Sequence, residues 1–181
     1  LIDDKFNGNG LVTHVYPRDP ENEVQEKLRL KKNSTDEYFK KDDIVTEHEY
    51  SNHKPATIQK FRHMIDNDGE IPKKYKTKKF AQRVLPRYWK DKPSITVTSL
   101  ADDYVHFEQP RTPTVREWAR MQTFPDWYEF AGNRTTGGLR RAGLPDGSDG
   151  QIELPKYTQI GNAVPVELAK RIGQNFKKIL T

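Results

Sequence analysis

Between Pro165 and Leu180 the apolar residues Leu168, Ile172, Phe176 and Ile179/Leu180 recur at the three-to-four-residue spacing of one helix face. Pro165 suits the opening of that helix, with Glu167 near its start and Lys177 and Lys178 near its end, as the helix dipole prefers. A stripe this regular needs a partner surface, and the rest of the chain is poor in apolar material to supply one. Of 181 residues, 33% are hydrophobic and 31% charged. Aromatic residues, 10% of the total, must carry much of any core. Such a chain suffices for one domain, or one small domain plus a piece of another.

The class is narrowed further by what is missing. There is no cysteine, which excludes disulfides, a thiolate nucleophile and zinc ribbons within this chain. His14, His48, His53, His63 and His106 are scattered and form no metal-ligand pair at helical spacing, so no metal site is expected and they read as surface or packing histidines. No apolar run approaches the roughly 20 residues of a membrane span. The start, Leu1-Ile2-Asp3-Asp4-Lys5, has neither the basic residues nor the apolar core of a signal peptide. It also lacks an initiator methionine, which predicts a piece of something longer.

Charge is concentrated. Residues 73–92 hold nine Lys/Arg and one acid, a local +8 in a chain of net +5, leaving −3 elsewhere. Tyr75, Phe80, Tyr88 and Trp89 are interleaved with the cations. This is the footprint of a polyanion partner, with a solvated basic face as the plainer alternative.

Along the chain, 1–20 reads as irregular with a short strand at 11–15, 21–32 as a short amphipathic helix, and 33–43 as polar loop. A helix is expected over 55–65, with Pro55 in its first turn, Ile58, Phe61 and Ile65 on one face, and Asn67-Asp68-Gly69 as its stop. Ile95–Leu100 alternates and is β-branched, as a strand would be. Thr114-Val115-Arg116-Glu117 is a capping box opening a helix that should run to about Gln122 and stop before Pro125. Residues 131–150 hold six of the eleven glycines but no phosphate-cradling motif, and read as loop.

Two stretches carry more than local structure. Arg111, Thr114, Arg116, Glu117, Arg120, Gln122, Phe124, Pro125 and Asp126 fall on a pattern Arg-x-x-Thr-x-Arg-Glu-x-x-Arg-x-Gln-x-Phe-Pro-Asp, and Gln159-Ile160-Gly161-Asn162-Ala163-Val164-Pro165 follows near the C-terminus. They resemble the last two signature motifs of DNA (cytosine-5) methyltransferases. The family usually has Leu where this chain has Pro113. Pro93-Ser94-Ile95-Thr96-Val97 and Asn52-His53 resemble stretches of the family's target-recognition region more loosely, and residues 1–44 show no likeness.

The resemblance implies an α/β fold of two parts. A small mixed target-recognition domain would span 1–110. Residues 111–181 would be the C-terminal helical segment that completes a Rossmann-like methyltransferase domain. The cofactor implied is S-adenosylmethionine, with Asn162, Ala163 and Val164 closing one wall of its pocket; helix capping by Asn162 is the competing role. In the family a cysteine thiolate adds to C6 of cytosine so that C5 can take the methyl group, on a base flipped from the duplex. That cysteine, and the glycine-rich cofactor motif, are absent here. The chain is therefore expected to be inactive alone and to pair with a catalytic portion of the same enzyme or a separate subunit.

Double-stranded DNA is the other implied partner. Lys73, Lys74, Lys76, Lys78, Lys79, Arg83, Arg87, Thr96, Arg111 and Arg116 are the candidate contacts. For Arg116 and Arg120 the alternative is an ion pair that fixes the helix, and Glu117 is a cap and not a catalytic acid. A restriction–modification setting in the bacterial cytoplasm, near the nucleoid, goes with this reading. Two alternatives stand beside it: a non-enzymatic DNA-binding regulatory partner of a methyltransferase, and an unrelated basic nucleic-acid-binding domain.

Overall fold

The computed structural model describes residues 15–76, 82–86, 95, 97–98, 101–134 and 154–180. Helix α1 spans Glu23–Arg29, where the Asn22 side chain accepts from the Gln25 amide. Helix α2 spans Pro55–Asp66 with proline in its first turn. It ends at 67–69, where Asp68 and Gly69 adopt φ of 49° and 87°. A 3-10 turn at Lys73–Tyr75 precedes strand β1, Arg83–Val84, which pairs in parallel with β2, Tyr104–Val105. Helix α3 spans Val115–Met121, α4 Lys156–Asn162 and α5 Val166–Leu180. The architecture is a small mixed α/β assembly.

Helix α3 forms where the capping box puts it. The Thr114 hydroxyl accepts from the Glu117 amide and the Glu117 carboxylate accepts from the Thr114 amide. Trp118 and Ala119 then point into a cluster with Leu85, Val97, Tyr104, Val115, Phe130, Tyr157 and Ile160. This cluster draws on both sides of residue 110, so α3 and α4 share one core with the segment around β1 and β2. A second cluster joins Phe61 and Met64 of α2 to Val105. Two polar groups of this cluster are met: the Trp118 indole N–H donates to the Thr98 carbonyl at 3.0 Å, and the Tyr157 hydroxyl to the Pro113 carbonyl at 2.7 Å.

Several sequence expectations differ from this picture. The described part of the expected strand over 95–100 (Ile95, Val97 and Thr98) contributes Val97 to the core and joins no ladder. Of the expected strand at 11–15 only Val15 is described, in an isolated antiparallel bridge to Ile44. Most of the expected glycine-rich loop, 135–150, lies outside the described residues.

Helix α5 stands apart. None of its residues is buried. Leu168, Ile172, Phe176, Ile179 and Leu180 are 50%, 45%, 60%, 77% and 83% exposed. The periodicity correctly gives the helix and its stripe, and among the described residues nothing covers that stripe.

Candidate functional site

Residues 109–126 fold into a buried network of charges. The Arg111 guanidinium is 0% exposed and donates two 2.7 Å hydrogen bonds to the Glu117 carboxylate. Its Nε donates to the Gln109 side chain at 2.7 Å, and the group lies 4.3 Å from the Tyr50 ring centroid. Burial alone would raise the Glu117 pKa, but the charge and hydrogen bonds of Arg111 outweigh it and hold the carboxyl well below its usual range. Glu117 is thereby fixed as an ionised cap, as its motif position implies.

Arg116 is equally buried. Its guanidinium donates to the Thr46 carbonyl and hydroxyl and to the carbonyls of Pro125 and Tyr128, at 2.8–3.3 Å. Arg120 grips Asp126 through both Nε and Nη2, and Asp126 also accepts from the Tyr16 hydroxyl at 2.6 Å. Two pairings expected for DNA are therefore corrected. Arg111 and Arg116 spend their donors inside the fold, where they tie α3 to residues 46–50 and 125–128. The sequence showed the arginines, but not partners 70 residues away.

The histidines complete the network. His48 Nδ1 lies 2.9 Å from the Thr114 hydroxyl, and its Nε2 3.3 Å from that of Tyr50. His106 Nδ1 accepts from the amides of Glu108 and Gln109, at 3.2 and 3.1 Å. Burial pushes their pKa values down to about 3 and about 4. His53 Nε2 accepts from the Thr112 amide at 3.2 Å, which links the Asn52-His53 pair to the same motif.

The segment expected to face the cofactor lies at the junction of α4 and α5. Asn162 and Val164 are exposed, and Ala163 is half-buried with its amide donating to the Ile160 carbonyl at 3.2 Å. Among the expected DNA contacts, Lys73, Lys74, Lys76 and Arg83 are exposed around the 3-10 turn and β1. Lys78, Lys79, Arg87 and Thr96 lie outside the described residues. The described residues contain no group of three or more His, Asp or Glu fit to hold a metal, and no helix long and apolar enough to cross a membrane.

The chain resembles known proteins over most of its length. A family model described as C-5 cytosine-specific DNA methylase matches residues 12–178. Type II methyltransferase M1.HphI of Haemophilus parahaemolyticus is 31% identical over 141 residues, covering 76% of this chain and 32% of that protein. Type II methyltransferase M.DdeI of Desulfomicrobium norvegicum is 29% identical, covering 92% and 38%. The chain thus spans about a third of the length of these two relatives. Type II methyltransferase M.AquIB of Picosynechococcus is different: at 33% identity over 131 residues, the match covers 72% of this chain and 86% of that protein.

Proposed function

The chain belongs to the C-5 cytosine-specific DNA methylase family, and from that premise we propose that it supplies DNA recognition and one wall of the S-adenosylmethionine pocket to a DNA (cytosine-5) methyltransferase of a restriction–modification system. The observation that carries this reading is the pairing of a cysteine-free chain with an uncovered apolar helix. Everything needed to organise α3 is internally satisfied, while α5 presents its stripe outward. On this reading the stripe docks on the catalytic portion, which holds the thiolate and the rest of the cofactor site in a Rossmann-like domain. M.AquIB, named a Type II methyltransferase and matched over most of its length, supports a chain of about this size in that class.

The exposed residues fit one wall of a cofactor pocket. Asn162 would offer its carboxamide and Val164 an apolar surface, with Ala163 between them. The bound cofactor supplies the methyl group. This chain's part is to close that wall and to grip the duplex from which the target base leaves. Lys73, Lys74, Lys76, Lys78, Lys79 and Arg87 suit phosphates, and Arg83 and Thr96 suit phosphates or base edges. The domain boundary at 110/111 then marks a change of task and not a break in the core.

Methyl transfer to DNA tests the reading. The chain alone should be inactive, and addition of a portion carrying the cysteine should restore incorporation of labelled methyl. Activity of the chain alone would overturn it. Stimulation of an already complete methyltransferase, with none from the cysteine-bearing portion, would favour the regulatory alternative.

A second expectation concerns α5. Replacing Ile172 and Phe176 by aspartate should leave the chain's own unfolding midpoint unchanged, because neither side chain is buried in it. Burial of two such side chains is worth about 1.5–3 kcal/mol each, so affinity for the catalytic portion should fall more than about a hundredfold. Calorimetric titration would read this, and an unchanged affinity would remove α5 from the interface.

A further inference from the structure

We propose that Gln122 and Thr123 are positioning residues that hold Asn162–Pro165 in place, setting how Asn162 and Val164 are presented to S-adenosylmethionine. The inference rests on the cofactor reading above but is carried by separate geometry. The buried Gln122 carboxamide donates to the carbonyls of Ile160 and Ala163, at 3.2 and 3.1 Å. Both acceptors lie at the end of α4; the Ile160 carbonyl also accepts from the Ala163 amide at 3.2 Å, and Gln122 gives it a second donor. The Gln122 carbonyl accepts from the Val166 amide at 3.1 Å, and the Thr123 hydroxyl from the Glu167 amide at 2.9 Å. These amides open α5 and have no partner within their helix. Two adjacent residues therefore make four hydrogen bonds that bracket the 162–165 segment on both sides.

The backbone of Thr123 points the same way. Its φ is 58°, in the left-handed region that β-branched residues rarely adopt. Thr123 ends α3: its amide donates to the Arg120 carbonyl and that of Phe124 to Ala119, the pattern in which glycine is usual at this position. Glycine would sit there without strain but has no hydroxyl to give α5. The chain keeps the strained threonine, and its hydroxyl accepts from the Glu167 amide. The end of the Arg-Glu-Arg-Gln motif is thus joined to the start of the last helix by side chains and not by packing alone.

Two near-isosteric variants test this in the full chain. Gln122→Glu replaces two donors by an acceptor facing two carbonyls, and Thr123→Val removes only the hydroxyl. Both should speed amide hydrogen exchange by about tenfold: Gln122→Glu at Ala163, whose acceptor carbonyl at Ile160 and own carbonyl both lose the Gln122 donors, and Thr123→Val at Glu167, whose acceptor is removed. Thr123→Ser, which retains the hydroxyl, should restore protection, whereas Thr123→Gly should not, although it relieves the strain. In the complex with the catalytic portion, Gln122→Glu should weaken S-adenosylmethionine binding about tenfold while leaving DNA affinity within twofold. Unchanged exchange in both variants would overturn the clamp. Faster exchange with unchanged cofactor affinity would uphold the clamp and overturn instead the placement of 162–164 at the cofactor. Should Gln122→Glu not fold, Thr123→Val alone decides through the Glu167 amide.

Discussion

Acidification from pH 7 to pH 4 should remove most of the chain's stability. His48 and His106 are buried, and burial lowers their pKa values to about 3 and about 4. In the unfolded chain both titrate near the ordinary value of about 6.5. The unfolded state therefore takes up protons first as pH falls, and stability falls with it. The contribution is fully present above about pH 6.5 and decreases by roughly 1.4 kcal/mol per histidine per pH unit until the folded values are reached. By pH 4 the two together cost on the order of 5 kcal/mol, comparable with the whole stability of a small domain. Glu117 and Asp126 act in the same sense at lower pH. Their folded pKa values lie below the ordinary range, so the stability they add is present above about pH 4.5 and is lost only as pH falls through those lowered values. Urea midpoints measured at half-unit steps would show the loss. His106→Asn places a carboxamide oxygen where Nδ1 accepts two amides, and should flatten the slope between pH 6 and pH 4 by about half. A midpoint constant from pH 7 to pH 5 would mean that neither histidine is held neutral.

Arg111→Met should destabilise the chain by about 3–5 kcal/mol, because it leaves the Glu117 carboxylate buried without its counter-ion. The loss extends beyond one pair, since Glu117 Oε2 also accepts from the Thr114 amide at 2.9 Å and so closes the capping box of α3. Arg111→Met combined with Glu117→Gln should recover part of that loss, as both charges are removed and the cap keeps an oxygen. Thermal melts of the three variants would check this. Were Arg111 a DNA contact, the single variant would instead melt with the parent and bind DNA more weakly. Its complete burial sets the expectation against that outcome.

What the sequence revealed and what it concealed divide along contact distance. The capping box, the proline start of α2, its Asn-Asp-Gly stop and the stripe of α5 are written within a few residues of one another, so periodicity and propensity find them. Tyr16 meets Asp126 across 110 residues and His48 meets Thr114 across 66, and no local pattern encodes either pairing. That is why Arg111 reads as a DNA contact from sequence, and Arg116 as either a DNA contact or an ion-pair partner: their side chains are the same whether they meet a phosphate or a carbonyl. The parallel pairing of β1 with β2 was equally silent, because two-residue strands leave too little alternation to detect. The family motifs drew attention to residues 111–126 and 159–165. They did not disclose that Gln122 and Thr123 bind the next motif, which only the joined geometry of α3, α4 and α5 makes visible.

On the docking proposed above, helix α5 also has a consequence for the fate of a copy that never finds its partner. An apolar stripe in open water is what chaperones and proteases recognise, and a helix with no buried side chain resists local opening poorly. Unassembled chains should then be cleared faster than assembled ones, so the amount of this protein in a cell would follow the supply of whatever covers the stripe.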